Sequence, residues 1–291
     1  MSRHAPWFRT LIPFLCLALS SPASAQELLV EPEKQVHWAM AAVFGTGWYR
    51  VDENRSSFIF RIPPRQTLRR ADWTEDDGRR YGLEILYPVT LGLHQLDDLP
   101  DFIEFENYST ITFTPGVALT YPVSERWWLR PYVHYGVGYE GTSDEWAQVW
   151  YGGVRSRYAI GETGRTDWSL LAAVNFAGYK PQFKNRGQYG GALVGLEASS
   201  RLENFRLFDE PTRFNWHLIY DYYFDNLNFH VSEDEVVSIR DTWELGLAIR
   251  LAEKPFRLGW FSFQQVGLAF KWSSDGSYDA ITFNLRSPFT R

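Results

Sequence analysis

Residues 81–94 read Tyr-Gly-Leu-Glu-Ile-Leu-Tyr-Pro-Val-Thr-Leu-Gly-Leu-His, and this stretch decides the fold class. Every odd position carries an apolar or aromatic side chain, whereas the even positions carry Gly, Glu, Pro, Thr or His, with Leu86 as the exception. A period of two excludes an amphipathic helix and places one face of a strand in an apolar medium. The stretch is longer than the about 5–6 residues usual for a strand in a soluble sheet, and it suffices for the roughly 9–11 residues that cross a bilayer.

The same rhythm recurs along the chain and predicts an all-β fold, a transmembrane antiparallel up-and-down β-barrel of about twelve strands. An even number of strands places both chain ends on the periplasmic side, so the long polar connections 96–108, 181–187 and 226–240 should face outward. Residues 63–80 break this rule, because they form a long charged connection on the side of the short turns. Either the second strand is longer than drawn, or this segment is a periplasmic excursion. The predicted strands are 37–50, 55–62, 81–95, 109–122, 127–140, 147–160, 166–180, 188–201, 212–225, 241–252, 260–273 and 279–288.

The first residues have the pattern of an export signal. Arg3 and Arg9 precede a short apolar core at 11–19, and Ala23-Ser24-Ala25 supplies a small-x-small cleavage site. We therefore expect a signal peptide at 1–25, a short periplasmic lead-in at 26–36 and an outer-membrane β-barrel at 37–291. The single cysteine, Cys16, lies inside the signal and follows Phe14-Leu15, so we do not expect lipidation.

Composition narrows the class further. The net charge of −6 argues against a nucleic-acid partner, which would require a basic face. Aromatic residues make up 17% of a chain whose mean hydropathy is slightly polar, −0.32. A barrel with a polar interior, an apolar exterior and aromatic interfaces has this balance. A soluble periplasmic β protein would explain the alternation, but neither the strand length nor the aromatic excess.

Parity separates the two faces of the predicted wall. Charged side chains recur on one parity, and each Arg or Lys would cost about 2–4 kcal/mol if it faced lipid at mid-membrane. We therefore expect this parity to line the lumen. The lumen-lining candidates are Glu84, Arg130, His134, Arg155, Glu197, His217, Asp221, Glu244, Arg250 and Arg286. The lipid-facing candidates are Ile111, Phe113, Val117, Leu119, Leu129, Val133, Tyr135, Val137, Tyr139, Leu245, Leu247, Ile249, Leu251, Ile281, Phe283 and Leu285.

The opening segment Met40-Ala-Ala-Val-Phe-Gly-Thr-Gly-Trp-Tyr-Arg50 and the closing segment Ala280-Ile-Thr-Phe-Asn-Leu-Arg-Ser-Pro-Phe289 give the chain a family resemblance. Together with the twelve-strand rhythm, they resemble the translocator barrel of autotransporters. With no passenger ahead of the first strand, the chain resembles the solitary autotransporter-like outer-membrane barrels in particular. The resemblance covers nearly the whole mature chain and implies no enzymatic residues. One departure is the ending Phe289-Thr290-Arg291, because such barrels commonly end on an aromatic residue that the assembly machinery recognises.

Three features bear on chemistry. His230-Val231-Ser232 has the minimal His-x-Ser pattern of outer-membrane lipid hydrolases, but its flanks lack the accompanying Gly and Asn-Gly, and an exposed loop explains it better. His134 and His217 are best interpreted as hydrogen-bonded histidines of a polar lumen. A second charged segment contains Arg61, Arg65, Arg69, Arg70, Arg79 and Arg80, largely balanced by Asp72, Glu75, Asp76 and Asp77. It is best interpreted as a solvated loop, with a contact to lipid phosphates or to a periplasmic partner as the alternative.

The sequence therefore predicts a non-enzymatic protein of the bacterial outer membrane with a narrow, porin-like pore or a structural or surface role. We expect no cofactor and no metal, because neither a nucleotide fingerprint nor a cluster of metal ligands occurs. The expected partners are outer-membrane lipid and lipopolysaccharide, with the barrel-assembly machinery during insertion, and we expect a monomer. The alternatives are a lipid A deacylase or phospholipase, and a soluble periplasmic β protein.

Overall fold

The computed structural model describes residues 36–287, except 53–54, 75–77, 95–109, 184, 231–235, 253–255 and 259–260. The predicted signal peptide and residues 26–35 of the lead-in lie outside this part, as do the last four residues. The described part contains one 3-10 helix, Trp38–Val43. Its strands are β1 Gly47–Val51, β2 Arg55–Ile62, β3 Arg65–Arg69, β4 Asp72–Thr74, β5 Gly78–Arg80, β6 Gly82–Leu86, β7 Val89–His94, β8 Thr110–Phe113, β9 Gly116–Pro122, β10 Trp127–Glu140, β11 Glu145–Thr163, β12 Thr166–Pro181, β13 Gly187–Leu207, β14 Glu210–His230, β15 Val236–Leu251, β16 Phe256–Leu258, β17 Phe261–Phe263, β18 Gln265–Ser273 and β19 Tyr278–Phe283.

The strands form a closed antiparallel barrel. Fifteen of them belong to one sheet, in which β10 to β15 pair in chain order and β15 pairs with β18. The ring closes because β1 pairs with β19 on one side and with β2 on the other. Prolines interrupt three wall strands, so that β2 continues as β3, β6 as β7, and β8 as β9 across Pro63-Pro64, Pro88 and Pro115. Proline cannot donate to a ladder, which explains the breaks. Counted across these breaks, the wall has twelve strands, and the predicted fold class is confirmed.

Three strand predictions need correction. Of the predicted strand 260–273, only Gln265–Ser273 belongs to the wall, because β17 pairs with β16 in a separate sheet. Residues 37–50 do not form one strand, because Trp38–Val43 is helical and β1 begins only at Gly47. This segment is apolar on both parities, which suits burial on all sides rather than a wall with two different faces. The second strand is longer than predicted, since β3 extends it to Arg69, and β4 and β5 then form a small separate hairpin. The 63–80 connection therefore contains the continuation of the second strand, Arg65–Arg69, followed by this hairpin.

The outer surface of the wall is apolar. Val133, Tyr135 and Val137 on β10 are 52%, 56% and 45% exposed, and their inward neighbours His134, Gly136 and Gly138 are buried. The same alternation runs along β8, β9, β12, β15 and β19. Leu251 was predicted to face lipid but is buried at the last position of β15, where the chain leaves the wall. Among the described residues, no helix is both long and apolar enough to cross a bilayer.

The barrel has two rims, which we name by their tight turns. The turn 141–144 joins β10 to β11, and the same rim carries the connections after β1, β7, β12, β14 and β18. The opposite rim carries the turn 123–126 between β9 and β10, with the turns after β11 and β13. These are called the 141–144 rim and the 123–126 rim below.

Candidate functional site: the barrel interior

The N-terminal segment 36–46 fills the part of the lumen toward the 141–144 rim. Its helix packs against β7, β8, β10, β11 and β12, which are consecutive strands of the wall. Its alanines also share a buried cluster with residues of β1, β2, β14, β15 and β19 on the other side of the interior. Ala39 and Ala42 are completely buried, and Met40 is 5% exposed. The Val36 N–H donates to the Asn228 carbonyl at 2.7 Å, which ties the start of the segment to β14. Because small side chains dominate the helix, its backbone can lie inside the barrel without displacing the wall.

Polar contacts anchor the two residues at the start of this helix. His37 stacks on Tyr179 of β12 with ring centroids 4.6 Å apart, and its side chain caps the helix by accepting from the Ala39 N–H. The Trp38 indole donates to the Glu145 carboxylate of β11 at 3.4 Å, and His37 Nε2 lies 3.5 Å from the same carboxylate. The segment is therefore held by directional contacts as well as by apolar packing.

A cavity of about 510 Å³ lies between this segment and the 123–126 rim. Met40, Val43 and Phe44 line it on the side of the segment. Of the ten lumen candidates, Arg130, His134, Arg155, Asp221 and Arg286 line it. Arg61, Arg65 and Lys271 also line it, and they were not among the candidates. The charged residues that line the cavity are therefore predominantly basic.

Glu84 is the carboxylate at the centre of the arginine cluster. It is 8% exposed, and its two oxygens accept from Arg65 at 3.0 Å and from Arg130 at 2.5 Å. Arg286, directly after β19, lies within electrostatic range of all three groups. Charge-assisted contacts of this kind are strong when they are removed from water. Here, however, a single carboxylate lies among three guanidinium groups, so it compensates only part of their positive charge.

A second polar cluster lies across β14, β15 and β18. His217 Nε2 is 2.8 Å from Glu244, and Lys271 donates to Asp221 at 2.7 Å. Lys271 also lies 3.9 Å from Glu244, so the four side chains form one connected network. Gly246 lies against the His217 ring, where a Cβ would come within 2.1 Å of the ring, so the glycine makes room for the imidazole.

The remaining candidates lie nearer the 123–126 rim. Glu197 is buried and lies 3.5 Å from Arg157, while Arg250 is half-buried and pairs in register with Arg213. Arg213 in turn bonds Asp167 and the Ser199 hydroxyl, the latter at 2.8 Å. All ten candidates thus lie on the wall strands or directly after β19, and most contact a group of opposite charge.

Among the described side chains, the histidines do not form a recognisable hydrolytic arrangement. His134 contacts the Thr114 carbonyl at 2.8 Å and stacks on Tyr151 with centroids 4.3 Å apart. His217 pairs with Glu244, as described above. His230 ends β14, and Ser232 lies outside the described residues. Within the described part, no three His, Cys, Asp or Glu residues converge as metal ligands. The hydrolase alternative remains a prediction without a site.

The arginine-rich segment is not a single solvated loop. Arg61 and Arg65 belong to β2 and β3 and point into the cavity, where Arg61 donates to the Tyr151 hydroxyl at 2.9 Å. Arg70, Arg79 and Arg80 are exposed, as predicted for a solvated loop. Parity would have placed Arg61 inward, because Phe60 and Ile62 flank it, and Lys271 could have been found in the same way. The helical segment has no comparable signal.

The comparisons with known proteins concern the fold rather than the site. No family model matches the chain, and no curated protein matches it. Among solved structures, the chain is similar to the β domain of the Bordetella autotransporter BrkA, with 9% sequence identity and a TM-score of 0.48, over 81% of this chain and 95% of that one. That domain belongs to the class that the sequence resembles.

Proposed function

We propose that this protein is a non-enzymatic barrel of the bacterial outer membrane, and that its own N-terminal segment closes the lumen. The observation that carries the proposal is the buried helix Trp38–Val43, which contacts five wall strands. A twelve-stranded barrel has a narrow interior, so a helix of this size is enough to obstruct it. The protein then acts as a structural or surface barrel rather than as a diffusion pore.

The exterior supports the membrane setting. Large apolar side chains on the outer face of β8–β12, β15, β18 and β19 are commonly 40–55% exposed, as for Val133, Leu247 and Ile281. Soluble monomers rarely expose contiguous apolar patches above a few hundred Å², because such surface is stabilised only by lipid or by another protein. Outer-membrane lipid is therefore the proposed partner of this surface, with the barrel-assembly machinery acting during insertion, and the protein is proposed to be a monomer.

Cysteine accessibility tests the closed lumen. With Cys16 replaced by serine, Ala42→Cys introduces a thiol at a completely buried position, and Ser143→Cys introduces one at the exposed 141–144 turn. We expect a membrane-impermeant maleimide to label S143C at once, and to label A42C only after the barrel is unfolded by heat. Equal labelling rates in the folded protein would refute the closed lumen.

Cell fractionation tests the outer-membrane location, and planar-bilayer conductance tests whether the N-terminal segment closes the lumen. We expect the protein in the outer-membrane fraction, with a gel mobility that changes on boiling. The wild type should be silent in a bilayer, and deletion of residues 36–43, which leaves all wall strands in place, should produce channels. A soluble wild type, or large channels from the intact chain, would contradict the proposal.

A further inference from the structure

The barrel wall is closed over only part of its height. The pairing of β1 with β19 ends at Gly47 and Thr282. At Thr46 one more set of bonds follows: its carbonyl accepts from the Phe283 N–H at 2.8 Å, and its hydroxyl bonds the backbone N–H and carbonyl of Arg61 at 3.0 and 3.1 Å. N-terminal to Thr46 the chain enters the lumen, so β1 cannot continue the wall toward the 123–126 rim.

This leaves a gap between β3 and residues 284–286, which we call the seam. In the described part of the chain, β3 pairs with β6 alone. On the other side, the Asn284 N–H donates to the Gly267 carbonyl at 2.8 Å, and the Leu285 carbonyl accepts from the Gln265 N–H at 3.3 Å. Both bonds are directed toward β18, away from the seam, so neither edge closes it.

The arginine-rich cavity lies against both edges of the seam. It is lined by Arg65 on one edge and by Phe283, Leu285 and Arg286 on the other, and Phe283 and Leu285 are 51% and 41% exposed. The gap in backbone pairing therefore lies directly beside the cavity. On the opposite edge of the seam, Leu68 is 52% exposed, so apolar side chains flank the opening on both sides.

The cavity also carries an excess of positive charge. Arg61, Arg65, Arg130, Arg155, Arg286 and Lys271 line it, and Asp221, the one carboxylate among the described lining residues, pairs with Lys271. Glu84 compensates only part of the arginine charge, as shown above. Arg61 Nε is buried and has no hydrogen-bond partner. Guanidinium groups present fixed donors that match phosphate oxygens, so this wall is suited to a phosphate group.

From these observations we propose that the seam and the arginine cavity form a lateral binding site for an anionic phospholipid. The phosphate headgroup lies among Arg61, Arg65 and Arg286, and the acyl chains leave between Leu68 and Leu285 into the membrane. The inference goes beyond the proposed function but rests on its membrane setting, because the acyl chains need lipid outside the seam.

Thermal unfolding of the full barrel in neutral detergent micelles tests the proposal. The probes are dioctanoyl phosphatidic acid, inorganic phosphate and dioctanoylglycerol, which separate a lipid headgroup, a free anion and an acyl chain. A ligand of the folded state raises the unfolding temperature according to its affinity. We expect phosphatidic acid to raise it more than phosphate does, and dioctanoylglycerol to have no effect.

Variants test the residues. Arg286→Gln should weaken phosphatidic acid about tenfold or more, as the loss of a charged hydrogen bond implies, while Arg165→Gln, on the exposed turn after β11, should bind as the wild type does. Leu285→Asn should weaken phosphatidic acid and leave phosphate unchanged. Arg286→Lys keeps the charge and should bind phosphatidic acid with intermediate affinity. It replaces R286Q in the test if R286Q no longer shows the gel mobility of the folded barrel.

Three results would overturn the proposal: no stabilisation by phosphatidic acid, equal stabilisation by phosphate, or equal stabilisation by dioctanoylglycerol. These measurements do not depend on the N-terminal segment or on cell fractionation. Failure of the lipid site is therefore distinguishable from failure of the closed-lumen function.

Discussion

The two halves of the barrel interior are built in opposite ways from the same wall. Toward the 141–144 rim, the lumen is filled by an apolar segment whose alanines are completely buried. Toward the 123–126 rim, the lumen contains charged side chains around a cavity, and the wall has the seam. The first half is stabilised by packing, which depends on volume, and the second by ion pairs, which depend on keeping every charge compensated.

The largest expected effect comes from breaking the arginine cluster. Glu84→Ala removes the carboxylate between Arg65 and Arg130 and leaves buried cations without it, so the free energy of unfolding should fall by about 3–5 kcal/mol. The matched control is Glu203→Ala, which removes an exposed partner of Arg165 and should cost about 1 kcal/mol or less. Urea unfolding in micelles measures both. Equal losses would mean that the cluster is solvated like the surface.

Overpacking tests the half that is filled by the helix. Ala42→Leu adds three carbons where the side chain is completely buried, and we expect a loss of about 1–3 kcal/mol. Ala172→Leu, on the exposed outer face of β12, should change the stability by about 0.5 kcal/mol or less. The same urea titration compares them. A neutral A42L would show that the segment does not pack as tightly as the structure has it.

The seam begins at Gly47, where the pairing of β1 with β19 ends, and a substitution there tests this boundary. A Cβ at Gly47 would lie 2.4 Å from the Ile281 carbonyl oxygen, so Gly47→Ala must push β1 away from β19. We expect a loss of about 1–2 kcal/mol and a lower temperature of the gel-mobility change. Gly45→Ala is the control, because the one heavy atom near its Cβ is the Tyr49 hydroxyl oxygen at 3.7 Å. If the two variants unfold alike, β1 is not held tightly at this point.

The smallest effect on stability is expected at Asp275, in the turn after β18, which lies outside both halves of the interior. Partial burial raises the pKa of Asp275, but hydrogen bonds from Ser273 and Ser277 outweigh it, so the net pKa lies below the usual 3.8. A lowered pKa in the folded state gives stability that is present above pH 4 and is lost as the pH falls through the folded value. We expect the wild type to lose slightly more thermal stability than Asp275→Asn between pH 5 and pH 2. Parallel curves would contradict this.

The sequence predicted the barrel wall, in which apolar and polar residues alternate. The period of two placed nearly every wall strand, because a wall between lipid and a polar lumen leaves a signal at each residue. Glu84, Arg130 and Arg286 could be assigned to one parity, but not to one cluster, because the register between distant strands is not encoded locally. The Trp38–Val43 helix escaped prediction for a physical reason. A segment buried on all sides has no polar face, so its periodicity carries no information about its surroundings.

The prolines that interrupt three wall strands have a mechanical consequence. Pro63-Pro64, Pro88 and Pro115 fall at the same height on adjacent strands, as the register pairs Ile62 with Val89 and Leu86 with Gly116 show. Across this row the ladder is reduced to isolated bonds, such as the one from the Tyr87 N–H to the Pro64 carbonyl at 2.9 Å. The strands β3, β6 and β9 are therefore bounded on one side by this row of interrupted ladder bonds. Within the described residues, β3 pairs with β6 alone, so its other edge is unpaired. A weakened row and an unpaired edge together allow these strands to move as a hinged unit.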